Sequence, residues 1–166
     1  MKYLIAVLFS LPLMASAQDS CQLKRSTDPF THITKVSTGF IPFTVNGIPL
    51  SVSIDATKTE VDFFFWLNNG SCFDEASSAQ INFDGDRLKA NYKNTGSMNC
   101  EGAFHITFRN SPTTPSNLQR LTDKKVKSIK LTGNGNAVTE ISFTDEQKAK
   151  LMRMASCVVR EAKTLL

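Results

Sequence analysis

The chain has 166 residues, of which 41% are hydrophobic and 20% charged, and carries a formal net charge of +4 at pH 7. That length fits one sizeable core. So mild and interspersed a charge argues against a nucleic-acid groove, and four cysteines without a C-x-x-C, with neither histidine near them in sequence, argue against a metal framework.

Residues 1–17 read as a signal peptide: Lys2 is a short basic start, residues 3–14 are almost unbroken apolar, and Ala15-Ser16-Ala17 is a small-x-small cleavage site. The rest, residues 18–166, reads as one domain beginning at Gln18. No later stretch has the eighteen or so apolar residues that a spanning helix needs, so no transmembrane anchor is expected after cleavage. The product is expected to be exported, either periplasmic or secreted. In such a compartment the even set Cys21, Cys72, Cys100 and Cys157 implies two disulfides.

Residues 18–27 are polar and read as an N-terminal arm tied down by Cys21. Asp28-Pro29 turns the chain, and the β-branched residues at 31–38 read as a strand. Gly39 permits a bend, and residues 40–45 continue extended, with Pro42 marking an edge or an interruption. Asn46-Gly47 is a strong hairpin signal, because both residues tolerate positive φ. Ile48, Leu50, Val52 and Ile54 then alternate inward, with Ser51 and Ser53 outward. The run at 59–67 concentrates three phenylalanines and the single tryptophan. Read as a strand, it puts Val61, Phe63, Phe65 and Leu67 on one face and Asp62, Phe64 and Trp66 on the other.

Ile81 and Phe83 mark a further strand, Asp84-Gly85 a turn, and Leu88, Ala90 and Tyr92 the returning strand. Residues 101–109 place Phe104, Ile106 and Phe108 opposite Ala103, His105 and Thr107. Residues 116–123 carry Leu118 and Leu121 three apart, the spacing of one or two helical turns. Residues 126–132 and 137–143 read as strands around Gly133-Asn134-Gly135-Asn136. Lys124, Lys125, Lys127 and Lys130 read as the solvated lysines of an edge strand.

Thr144-Asp145-Glu146-Gln147 fits a capping box that opens a C-terminal helix. Its apolar stripe is Leu151, Met154, Ala155, Val158, Ala162 and Leu165. Cys157 lies about 120° from the centre of that stripe. A flank position suits a bond to another segment, so Cys157 is expected to pair with Cys21, leaving Cys72 to pair with Cys100. This helix needs an apolar surface, and Phe64 and Trp66 offer one. They are expected to lie beneath it, the alternative being an exposed aromatic patch for a ligand or partner.

Catalytic patterns are absent: there is no G-x-S-x-G and no H-E-x-x-H. His105 stands on the polar side of its strand, and Asp74 and Glu75 follow Cys72 as a carboxylate pair. Asp84-Gly85-Asp86 lacks the spacing of a calcium loop and reads as a turn. Asn69-Gly70-Ser71 is a formal glycosylation acceptor.

The early cysteine, Asp28-Pro29-Phe30-Thr31, Cys72-Phe73, Val126-Lys127-Ser128-Ile129 and Ser142-Phe143-Thr144-Asp145-Glu146-Gln147 before Cys157 resemble a group of short exported proteins of Bacteroidetes. That resemblance implies architecture and location, without an activity or site residues. The expectation is an α+β domain. A mostly antiparallel, curled sheet of seven to nine strands carries one C-terminal helix and is braced by disulfides. The function expected is a non-enzymatic exported binding domain using Phe64, Trp66 and His105, with no cofactor and no metal. Its partner would be a protein, a glycan or an apolar small molecule. Two alternatives stay open: a small-molecule or lipid carrier with a barrel-like cavity, and a small hydrolase built on His105.

Overall fold

The computed structural model describes residues 21–85, 87 and 89–166. The signal peptide at 1–17, the start at Gln18, the second acid of the turn, Asp86, and Leu88 of the expected alternation lie outside the described residues.

The fold is α+β, with ten strands in two antiparallel sheets. The first sheet holds β1 (Lys24–Thr27), β2 (Thr34–Ser37), β3 (Ile41–Val45), β4 (Ile48–Ala56), β5 (Glu60–Leu67) and β8 (Ala103–Arg109). Its order is β1-β2-β4-β5-β8, and β3 also pairs with β4. The second sheet holds β6 (Ser78–Phe83), β7 (Ala90–Lys93), β9 (Val126–Thr132) and β10 (Val138–Ser142), in the order β10-β9-β6-β7. Helix α1 (Ser116–Asp123) and helix α2 (Asp145–Ala162) complete the fold.

The strand beyond the expected nine is β1. Its residues Lys24, Arg25, Ser26 and Thr27 are all exposed, so no apolar alternation marks it. It is recognisable only by its ladder to β2, from Lys24 opposite Ser37 to Thr27 opposite Thr34. The single curled sheet of the sequence reading is also two sheets. Their inner faces share one core. Phe43 of β3 meets Phe143, just past β10, at 5.9 Å between ring centroids, and Tyr92 of β7 meets Phe108 of β8 at 5.7 Å. Leu50, Val52 and Ile54 of β4 and Val61, Phe63, Phe65 and Leu67 of β5 belong to the same buried cluster as Ala79, Ile81, Ile129 and Leu131. Side chains fill that interior, and it is a packed core.

The β3–β4 hairpin turns at Asn46 and Gly47, at φ 52° and 76°, the backbone that this dipeptide tolerates. Thr144 caps α2 as its sequence implies: its Oγ1 accepts from the Gln147 amide at 3.3 Å, and the Gln147 side chain accepts from the Thr144 amide at 2.9 Å. Leu151, Met154, Ala155, Val158 and Ala162 are buried, and the helix packs on α1, β2, β4, β5 and β9.

Both disulfides pair as the helix geometry implied, Cys21 with Cys157 and Cys72 with Cys100. The first ties the arm to the flank of α2. The second joins two segments already bridged, with the Phe73 amide on Asn99 O at 2.8 Å and the Asn99 amide on Phe73 O at 2.9 Å. Among the described residues no helix is long and apolar enough to cross a membrane.

One expectation about the lysines is corrected. β9 is not an edge strand, because it runs between β10 and β6. Asn82 pairs with Ser128 but Phe83 pairs with Val126, so Lys127 is an extra residue, a bulge. The bulge resets the alternation and returns Val126 to the buried side with Ile129 and Leu131.

Candidate functional site

β5 is the organising strand, and its two faces differ sharply. Val61, Phe63, Phe65 and Leu67 are buried, whereas Asp62 and Phe64 are half-buried and Trp66 is exposed. Helix α2 therefore does not cover Phe64 and Trp66, contrary to the expectation. The cause lies on the neighbouring strand. In register beside Trp66, Phe64 and Asp62 stand Ser51, Ser53 and Asp55 of β4. An apolar helix laid on that face would bury two carboxylates and two hydroxyls against hydrocarbon, at a cost of several kcal/mol, roughly 1–3 for each unpaired polar group. The helix stripe goes to the inner side, where Leu50, Val52 and Ile54 supply apolar surface.

The outer face thus carries an open aromatic cluster. Phe40, 63% exposed, stands edge-on to Phe64 at 5.5 Å and to Trp66 at 6.4 Å between centroids. Trp66 is 39% exposed. Its cross-strand neighbours, Ser51 and Ala103, are small and leave the indole uncovered at its sides. The indole Nε1–H donates to Glu101 O at 2.9 Å, which fixes the ring. That carbonyl sits in a tight turn. Gly102, at φ +80°, places its own carbonyl on the Leu67 amide at 2.9 Å, and a Cβ there would lie 1.8 Å from Leu67 O. Only glycine fits.

A hydrogen-bonded row adjoins the rings. His105 packs on Phe64 at 4.5 Å between ring centroids, and its Nδ1 donates to Asp62 Oδ2 at 2.8 Å. Thr107 Oγ1 donates to Asp62 Oδ1 at 3.0 Å, and the Thr107 and Thr95 hydroxyls lie 2.7 Å apart. Asp55 is directly opposite Asp62, a like-charge pair that is unfavourable in itself. Each carboxylate has its own donors, which offsets this: Asp55 accepts from Ser37 Oγ, from Ser53 Oγ at 3.0 Å and from Lys35 Nζ at 3.1 Å.

The free edge of β8 is closed by the loop at 94–99. Asn94 Oδ1 accepts from the His105 amide at 2.9 Å, and the Thr95 amide donates to His105 O at 3.1 Å. Asn99 both accepts from and donates to the Ala103 backbone, at 3.0 and 2.9 Å. Gly96 lies over the imidazole, where a Cβ would come within 2.7 Å of His105 Cδ2. This loop also brings Met98, exposed, to the β8 margin.

The structure therefore brings together all three predicted site residues, Phe64, Trp66 and His105, and adds Phe40, Asp62, Thr107 and Gly96. Phe40 was legible in principle. It precedes Phe43 and Val45, both buried, and falls in step with the outward Pro42 and Thr44. The other candidates have structural roles. Asp74 Oδ1 accepts from the Ala76 and Ser77 amides and the Ser77 hydroxyl, which makes it a turn cap separate from this face. Asp84 pairs with Lys148 at 3.2 Å. His105 and Asp62 reproduce the base and the orienting acid of a hydrolytic triad, but of the two hydroxyls nearby Thr107 serves the carboxylate and Thr95 bonds Thr107. Among the described residues no hydroxyl or thiol bonds the second ring nitrogen, and no group of three or more metal-ligating side chains converges.

Comparison with known proteins finds no matching family model, no matching curated protein and no matching solved structure.

Proposed function

We propose that the protein is an exported, non-enzymatic binding domain whose binding face is the outer side of β4, β5 and β8. The observation that carries this is the open cluster of Phe64 and Trp66 on the central strand with Phe40, just before β3, against them, three aromatic rings that the amphipathic helix α2 does not cover. Aromatic side chains surrounded by small polar residues are the composition of an interface centre with its rim. Phe40 projects as a knob, and the ring pairs are tilted by 61–69°, so the surface suits a complementary pocket better than a flat stacking ligand. A protein partner fits this shape.

The disulfides and the apolar, cleavable leader of the sequence support export, and the membership of the exported group rests on the motifs that resemble it. The carrier reading loses support because side chains fill the interior. The hydrolase reading loses support because the His105–Asp62 pair faces no nucleophile.

Affinity recovery from the native source tests the proposal. The folded protein and a Phe40→Ser, Trp66→Ser double variant are compared. The proposal expects a partner retained by the first and lost by the second, with thermal melts showing both folded at the temperature of the assay. Equal recovery by both would sink it.

A further inference from the structure

The outer face of the second sheet differs in chemistry from that of the first. Register places Glu140, Lys130, Gln80 and Asn91 in one row across β10, β9, β6 and β7. Ser142, Ser128 and Asn82 form the next row, and Val138, Thr132, Ser78 and Lys93 form a third. Adjacent strands lie about 4.7–4.9 Å apart, so each row is a line of polar groups at that spacing, apart from Val138 at the β10 end of the third.

The carboxamides are held in place. Gln80 Nε2 donates to Asn91 Oδ1 at 3.2 Å, Lys89 Nζ donates to Gln80 Oε1 at 3.2 Å, and Asn82 Nδ2 donates to Ser128 Oγ at 2.8 Å. The β9 bulge sets Lys127 at the lip of a shallow concavity shared with Arg87, Lys89 and Asn82. Among the described residues of this surface the cations are Arg87, Lys89, Lys93, Lys127 and Lys130, against Glu140 as the unpaired acid. Asp84 and Asp145 are both bonded to Lys148.

We infer that this face binds a carboxylated polysaccharide, a polymer of uronic acids laid across the rows of lysine, carboxamide and hydroxyl groups. Three observations select that class. The excess of cations favours an anionic partner. No aromatic side chain stands in the rows, since Phe83, Tyr92 and Phe143 are buried, and this removes the stacking platform a single-stranded nucleic acid uses. The carboxamides need a partner that both donates and accepts. A uronate ring offers hydroxyls for them and one carboxylate for a lysine. A densely sulfated chain offers acceptors almost alone, and makes no use of the second lone pairs of Gln80 Oε1 and Asn91 Oδ1, each of which already holds one donor.

Calorimetric titration of the disulfide-intact protein with unesterified polygalacturonate oligomers tests this, with neutral dextran, dextran sulfate and single-stranded DNA run alongside. The expected result is binding to polygalacturonate that weakens as salt rises, with none to dextran. Lys127→Glu combined with Lys130→Glu is expected to weaken it by at least about tenfold, the loss of two charge-assisted contacts. Gln80→Leu is expected to weaken polygalacturonate several-fold, roughly the worth of one hydrogen bond, and to leave any binding of dextran sulfate unchanged. All three positions face solvent or lie half-exposed, and thermal melts confirm folding. No binding of polygalacturonate at low salt would overturn the inference. So would tighter binding of DNA, charge reversal without effect, or affinity for dextran sulfate equal to that for polygalacturonate with Gln80→Leu silent, the signature of unspecific ion exchange.

Discussion

Adjacent residues of β5 provide the sharpest test of how this strand is used. Phe65 is fully buried and Trp66 is 39% exposed, so truncation to alanine should separate them. Phe65→Ala leaves a cavity between Phe104 of β8 and Val52 of β4, its register partners, and should cost about 3–5 kcal/mol. Trp66→Ala removes one hydrogen bond to Glu101 O and one edge contact with Phe40, worth about 1 kcal/mol each. Its loss should total about 2 kcal/mol, because much of the indole is already in water. At roughly 2–4 °C per kcal/mol for a chain of this size, the melting points of the two variants should differ by several degrees. Circular dichroism is the assay, since Trp66 is the single tryptophan and its removal abolishes tryptophan emission. In the unmodified protein that same residue reports its surroundings, with red-shifted emission readily quenched by acrylamide. A cost for Trp66→Ala equal to that of Phe65→Ala, with blue-shifted and protected emission, would refute the open face and restore a covering layer.

The two disulfides should differ in worth. On the chain-entropy account, opening the loop of separation 136 by Cys21→Ser with Cys157→Ser costs about 5 kcal/mol, and opening that of 28 by Cys72→Ser with Cys100→Ser about 3.6 kcal/mol. Urea unfolding of the two double variants checks the order, and the reverse order would show that the arm contributes little to closing the chain. Acid should weaken the fold in an identifiable way. The Lys148 ammonium holds the Asp145 carboxyl below the usual range, and the Thr31 and Phe30 amides do the same for Asp28. A carboxyl depressed in the folded state stabilises it fully above its unfolded pKa, about 3.9, and ceases to do so as pH falls through the lowered value. Melting points taken from pH 6 to pH 2 should fall below about pH 4, and Asp145→Asn should make that fall shallower. An unchanged slope in the variant would remove Asp145 from the account.

Much of the architecture is written locally. The alternation in β4 and β5, the Asn46-Gly47 turn and the Thr144 capping box each depend on residues within a few positions of one another, and each forms as the sequence implies. The pairing of Cys157 with Cys21 was legible because a helix converts spacing into direction. What could not be read depends on partners distant in sequence. β1 is a strand only because β2 lies beside it. The phase of β9 is reset at Lys127 by a mismatch with β6, and no pattern within β9 announces this. The apolar residues of β5 alone do not decide where α2 lies, because polar residues of β4 share their outer face. Ser51 and Ser53 read as outward residues of the adjoining strand, Asp55 continues their face, and a sheet face is the property of its rows, not of one strand.

That same point explains why the two outer surfaces remain available. With both sheets turned inward on one core and α2 packed against that core, no element of the described chain is left to cover either outer face. The first face then keeps aromatic rings at its centre, with carboxylates, a histidine and small hydroxyls around them. The second keeps carboxamides, hydroxyls and lysines with no ring at all. A face that served only solubility would need neither the Trp66 clamp on Glu101 O nor the glycine over His105. Those two features hold exposed groups in fixed orientation, and ordering a side chain costs conformational entropy that solvent contact alone does not return. The organisation of the first face therefore argues for recognition there, and Phe40 at its crest is the residue whose loss should be felt first by a partner and least by the fold.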